Sequence, residues 1–239
     1  MVNLNLLKND LAKLQKSKNP QILGRFFKTG KGQYGEGDIF LGLSVPQQRE
    51  VAKKYPHLTL KELQKLLSSK IHEHRQTALF ILMMKYKKST DGEKKEIFNF
   101  YLANTANINN WDLVDLSAPS IVGDFLLDKE RSILYRLAKS VSLWEKRIAM
   151  LSTYTFIRKG QLMDALKIAE VLLKDNHDLI HKAVGWMLRE VGKKNQDIEE
   201  EFLKKHHQKM PRTMLRYAIE KFDEGKREYF LGQPRRSGA

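Results

Sequence analysis

Leucines at positions 4, 7, 11 and 14 open the chain at helical spacing and predict an amphipathic helix over residues 2–16. The pattern then breaks at "KTGKGQYGEGD", residues 28–38, whose four glycines exclude a stable helix. Helical signals resume at once. Ser44 with Pro46 in the first turn starts a helix over 44–55, and Thr59 with Glu62 forms a capping-box pattern at "TLKEL". Further apolar periodicities predict helices over 71–88, 92–103, 110–127, 129–139, 142–158, 161–174, 177–193, 196–206, 211–223 and 225–231. No segment shows the strict alternation of a half-buried strand, so the reading is an all-α chain.

Five of these helices carry an alanine in a similar mid-helix setting: Ala78, Ala118, Ala149, Ala183 and Ala218, at intervals of 40, 31, 34 and 35 residues. A short helix falls between most successive members. Repeated helical hairpins of this kind predict an α-α superhelix, a HEAT-like repeat solenoid built as a single domain over residues 1–231. The tail 232–239, "GQPRRSGA", reads as a disordered basic extension. Four of the five helices place a basic residue just before the alanine: Arg75, Arg147, Lys182 and Arg216. The helix at 110–127 has Asp115 instead. The expectation is a basic concave face with one acid near its middle.

Charge supports a polyanionic partner. Lys and Arg number 43 against 28 Asp and Glu, a formal net charge of +15, and such an excess favours nucleic acid first and an anionic membrane second. With no cysteine in the sequence, disulfides, zinc–thiolate sites and thiol nucleophiles are excluded. No leader or spanning segment is legible, so the expected setting is cytoplasmic, without a membrane.

The chemistry-bearing residues cluster in three helices. In "NNWDLVDLSAPSIVGDFL", with Asn110 as the cap, Trp111 and Asp115 lie four residues apart on one helical face. Asp115 reads either as a first-turn acid opposing the helix dipole or as a carboxylate that stabilises developing positive charge. In "HDLIHKAVGWMLREVGKK", Lys182, Trp186, Arg189 and Lys193 form a stripe opposite an apolar face. Trp186 is then either covered by cationic stems or an aromatic surface for a nucleotide. In "SVSLWEKRIAML", Ser142 caps the helix, and Arg147 suits either a phosphate or a salt bridge to a neighbouring helix. No zincin, nucleophile-elbow or P-loop motif is present. His72, His74, His206 and His207 read as solvated residues, and no metal or other cofactor is expected.

Taken in this order, "NNWDLVDLSAPSIVGDFL", "LWEKRIAMLSTYTFIRKG" and "IHKAVGWMLREVGKKN" resemble the DNA alkylation repair family, the AlkD-type HEAT-like repeat DNA glycosylases, over roughly residues 20–223. The resemblance implies a monomer that grips double-stranded DNA and hydrolyses the N-glycosidic bond of cationic alkylpurines such as 7-methylguanine and 3-methyladenine. It implies Asp115 as the catalytic acid, Trp111 and Trp186 as tryptophans near the lesion's deoxyribose, and Arg147 as a phosphate ligand. Lys182 and Arg189 are further DNA-contact candidates in the basic stripe. Members of this family make their contacts to backbone and sugar and need no deep base pocket. Active members also have an N-terminal helix with an aromatic residue reaching the DNA. Here that region is "FFKTGKGQYGEGDIFLGLSVPQQR"; its glycines predict a loop, and Tyr34 is the candidate aromatic. The alternative is a DNA-binding protein of the same fold without glycosylase activity.

Overall fold

The computed structural model describes residues 2–15 and 19–232, and from residue 233 onward the predicted basic tail lies outside them. The architecture is all-α, as the periodicity predicts. Among the described residues the single β-type contact is one parallel bridge between Ile39 and Ile71. None of the described helices is long and apolar enough to cross a membrane. The chain divides into two compact units, residues 1–117 and 118–239.

The first unit contains α1 (Val2–Lys13), α2 (Asn19–Phe26), α3 (Val45–Lys54), α4 (Leu60–Leu67), α5 (His72–Lys88) and α6 (Asp91–Ala103), and it takes in all but the last residue of α7 (Trp111–Ala118). Leu4, Leu7 and Leu11 are buried and Leu14 lies beyond the helix, half out. The glycine-rich stretch is a run of turns, as expected. The predicted caps form: the Gln47 side chain accepts from the Ser44 amide at 2.9 Å, and the Glu62 amide donates to the Thr59 hydroxyl. α5 is the centre of the unit. Its residues 72–82 are all buried, with α3 and α4 against it.

One side chain of α5 fixes the segment that follows the turns. The buried Glu73 carboxylate accepts the backbone N–H groups of Leu41, Gly42 and Leu43 at 2.9, 2.8 and 3.2 Å. These three amides have no helix or sheet to serve them, and the carboxylate takes the place of a ladder. Gly42 sits at φ +85°, where a β-carbon would be strained.

The second unit holds α8 (Ser132–Ala138), α9 (Leu143–Arg158), α10 (Met163–Leu172), α11 (Asp178–Lys194), α12 (Gln196–His206), α13 (Arg212–Ala218) and α14 (Glu224–Gly232). The alanine-bearing helices α9, α11 and α13 pack in succession, and α10 and α12 join them as the predicted short helices between. Ala149, Ala183 and Ala218 are fully buried, so the repeat read from the sequence is a packing repeat here. At Gly185 on α11 the approach is closer still, because a β-carbon there would stand 2.4 Å from the Met214 carbonyl oxygen of α13.

The helix predicted over 110–127 is interrupted. Pro119 has no N–H to return to the turn before it, and the ladder widens into a π-type turn over Pro119–Gly123. The Thr155 hydroxyl donates to the Pro119 carbonyl at 2.6 Å. The four histidines expected in solvent are buried instead: His72, His74, His206 and His207 are each less than 10% exposed. Two of the basic residues expected on the basic concave face are buried as well, Arg75 and Arg147.

Glu199 on α12 is 2% exposed, and its Oε1 has no hydrogen-bond partner among the described residues. Burial first, then the neighbouring Glu200, pushes its pKa up to about 8, with Arg189 pulling the other way. The folded chain therefore holds a proton that the unfolded chain releases above about 4.5. Stability falls as pH rises through that window. Glu199→Gln is expected to remove this slope, leaving the variant more stable than wild type by about 1–3 kcal/mol near the upper end. Thermal melts of both proteins across the window check it; parallel pH profiles would contradict the assignment.

Candidate active-site cleft

Helix α7 begins at Asn110, which is fully buried and accepts the Trp111 amide on its own side-chain oxygen at 2.8 Å. One turn apart, Trp111 and Asp115 share a face, as their spacing predicts. Both line an open cleft of about 530 Å³ that lies wholly within the first unit. Both are half-buried, accessible from the cleft and still held by the helix.

The wall beside Trp111 is a run of rings. Phe27 stacks on Trp111 at 5.3 Å and on Phe40 at 5.0 Å, and Phe40 stacks on His72 at 4.6 Å. Phe26 meets the Trp111 ring edge-on at 5.7 Å. The glycine-rich turns make this wall possible: they return the chain so that Phe27, before them, and Phe40, after them, lie face to face. The aromatic neighbours of Trp111 in this region are Phe26 and Phe27. Tyr34 itself is half-buried within the turns and is not among the residues lining the cleft.

Beneath the rings runs a chain of charges. Arg75 donates to Asp38 at 2.7 Å and to the Ser69 carbonyl at 2.9 Å. His72 bridges Asp38 at 3.3 Å and Asp112 at 2.8 Å, and Gln76 donates to the same Asp112 oxygen at 2.8 Å. Burial alone would drive the His72 proton off, but the hydrogen bonds to Asp112 and Asp38 outweigh it and raise its pKa. Burial likewise works against charge on Asp38, yet the His72 and Arg75 contacts hold its carboxyl below the ordinary value. His72, held between two carboxylates, thus locks α5 to the start of α7 and sets the direction of the Trp111–Asp115 face.

The other candidates lie in the second unit. Arg147 is 5% exposed and donates to the Leu179 carbonyl. Trp186 is half-buried, with its indole N–H donating to Glu190 at 3.1 Å and Tyr154 tilted beside it at 6.1 Å. The cations of its stripe meet acids: Lys182 pairs with Asp178 at 2.6 Å, Arg189 with Glu220, and Lys193 with Glu190 at 2.7 Å. The predicted stripe exists, but its positive charge is largely compensated. Of the four basic residues read before the alanines, Arg216 is exposed.

Sequence reasoning missed Phe27, Phe40, His72 and Asp112. A signal existed for the phenylalanines, which flank the glycine-rich turns on both sides. None existed for His72 and Asp112, because an ion pair across 40 residues leaves no local pattern.

A family model described as "DNA alkylation repair enzyme" matches residues 7–222. No curated protein sequence matches. Among solved structures, a predicted DNA alkylation repair enzyme from Enterococcus faecalis superposes with a TM-score of 0.67 at 15% identity, covering 88% of this chain and 97% of its own. AlkD2 from Streptococcus mutans gives 0.56 at 19% identity, covering 85% and 98%. These likenesses carry the fold, and the all-α architecture above is theirs.

Proposed function

The chain belongs to the DNA alkylation repair enzyme family, and from that premise we propose that it is a monofunctional DNA glycosylase acting, as a monomer, on cationic alkylpurines of the 7-methylguanine and 3-methyladenine type in double-stranded DNA. The observation that carries this reading is the pairing of Asp115 with Trp111 on one face of α7, lining an open cleft. In the reaction the C1′–N bond breaks and its electron pair neutralises the departing alkylpurine. The sugar left behind is an oxocarbenium-like cation. The Asp115 carboxylate stabilises that cation and orients the water that adds to C1′, taking up its proton. The Trp111 ring, with its negative face, adds to the same field. Asp112 and His72 keep α7 in register with α5 and act as positioning residues. Arg147, Lys182, Arg189, Trp186 and Tyr34 are the residues proposed to contact DNA. No cofactor enters this scheme.

A second reading, a DNA-binding member that does not excise, draws on one observation: the Arg147 guanidinium is buried against the Leu179 carbonyl, and Lys182 and Arg189 are paired with acids. Chromatography of free base released from methylated duplex decides between them. The glycosylase reading expects 7-methylguanine to appear in proportion to enzyme. Salt-sensitive binding with no released base would favour the second.

A further inference from the structure

Three carboxylates line the cleft that Trp111 faces: Glu73, Asp112 and Asp115. Two of them are answered inside the fold. Glu73 accepts three backbone amides, and Asp112 accepts His72 and Gln76. The basic residues among the lining residues are His72 and Arg49, and His72 is buried between Asp38 and Asp112.

Arg49, on α3, is in a different condition. Its side chain is exposed, and its guanidinium lies over the Phe80 ring of α5 at 4.5 Å. No carboxylate of the described residues pairs with it, because the neighbouring Glu50 goes to Lys53 at 2.6 Å. The ring steadies the guanidinium without using its N–H donors. A planar fork is thus held in the cleft with its donors still available. The cations of the α11 stripe are the opposite case: Lys182, Arg189 and Lys193 meet acids, and Arg147 on α9 is buried against a carbonyl.

The covalent structure of DNA supplies the partner. Each deoxyribose within a strand is esterified to phosphate through both its 3′ and its 5′ oxygen. A cleft that brings the sugar to Asp115 therefore brings a phosphate with it. Asp112 and Asp115 repel that phosphate, and the repulsion has to be offset in the same cleft. A guanidinium does so with two parallel hydrogen bonds to phosphate oxygens. We propose that Arg49 is the phosphate ligand of this cleft and holds the phosphate ester adjoining the nucleotide whose sugar faces Asp115. Arg49 lies outside the repeat of basic residues that precede the alanines. The inference rests on the reading of Asp115 as the sugar-facing carboxylate, and it adds the contact that sets the strand's register against α7.

The test measures binding and not excision, on a duplex carrying one tetrahydrofuran abasic-site analogue, which has no base to release. Fluorescence anisotropy with the full chain is read over a range of salt concentrations. Arg49→Met, which keeps an apolar stem on the Phe80 ring, is expected to bind about tenfold more weakly at about 0.1 M salt and to lower the slope of log K on log salt by about 1. Arg49→Lys keeps the charge and is expected to keep the slope. Circular dichroism establishes that both variants are folded. An uncharged methylphosphonate in place of the phosphate 5′ or 3′ to the analogue then locates the contact. At one of these two positions wild type is expected to lose about tenfold in affinity and Arg49→Met less than about twofold. Equal slopes in wild type and Arg49→Met, loss of slope in Arg49→Lys, or methylphosphonate costs that are the same in both proteins at both positions would overturn the assignment. Its failure is separable from that of the glycosylase reading. Release of 7-methylguanine with equal slopes removes the role of Arg49 alone, and coupling of Arg49 to one phosphate without base release removes the glycosylase alone.

Discussion

Asp115→Asn is expected to release 7-methylguanine from methylated duplex at least about 100-fold more slowly than wild type while binding the same duplex within about threefold. The two side chains have nearly the same shape, so the substitution removes charge and little else. The positive charge on the sugar peaks in the transition state, and a preorganised group aimed at developing charge is worth roughly two to three orders of magnitude in rate. A cationic lesion is already a good leaving group, which leaves this electrostatic contribution as the main one the protein makes. Affinity for the duplex is governed by phosphate contacts, and Asp115 is an acid that makes none. Single-turnover release and fluorescence anisotropy on the same preparations separate the two effects. Parallel loss of rate and affinity would show Asp115 to be structural.

Glu73→Ala is expected to have the largest effect on stability, lowering that of the first unit by about 3–5 kcal/mol. Its carboxylate is buried and serves three backbone amides at 2.8–3.2 Å. Truncation leaves all three N–H groups without an acceptor in a place where water has little access. The damage extends to the cleft. The segment that Glu73 holds carries Phe40, which stacks on Phe27, which in turn stacks on Trp111. Urea unfolding followed by circular dichroism measures the loss, and intrinsic fluorescence reports the loosened ring wall. A change below about 1 kcal/mol would mean that the amides find other partners. Glu73→Gln, which keeps one acceptor oxygen, is expected to fall between.

Local patterns were legible in the sequence and long-range ones were not. The α-helical class, the caps at Ser44 and Thr59, the alanine repeat and the Trp111/Asp115 face all follow from spacings of three and four residues, and the structure contains each of them. His72 read as solvated because nothing near it in sequence holds it in the core. Its place there depends on Asp38 and Asp112, contributed by the glycine-rich turns and by α7, whereas His74 is held by the nearby Ser69 hydroxyl at 3.0 Å. The same blindness placed Arg75 on the basic concave face, whereas it is buried and anchors Asp38. The stripe at Lys182, Trp186 and Arg189 was found by periodicity. Part of its neutralisation came from acids on α11 itself, Asp178 and Glu190, which a charge count along the helix would have caught. Glu220, on the far side of α13, could not have been. Pro119 was visible in the sequence, and its effect on the helix ladder follows from its missing N–H.

The central claim is that the Asp115 face of α7 breaks a glycosidic bond. One measurement tests it most directly: single-turnover incubation of wild type with a duplex carrying one 7-methylguanine, counting free base and abasic sites together, with Asp115→Asn run beside it. The account predicts equal yields of free base and abasic site from wild type and almost none from the variant. No release by wild type under conditions where it binds the duplex, or equal release by both proteins, would contradict it.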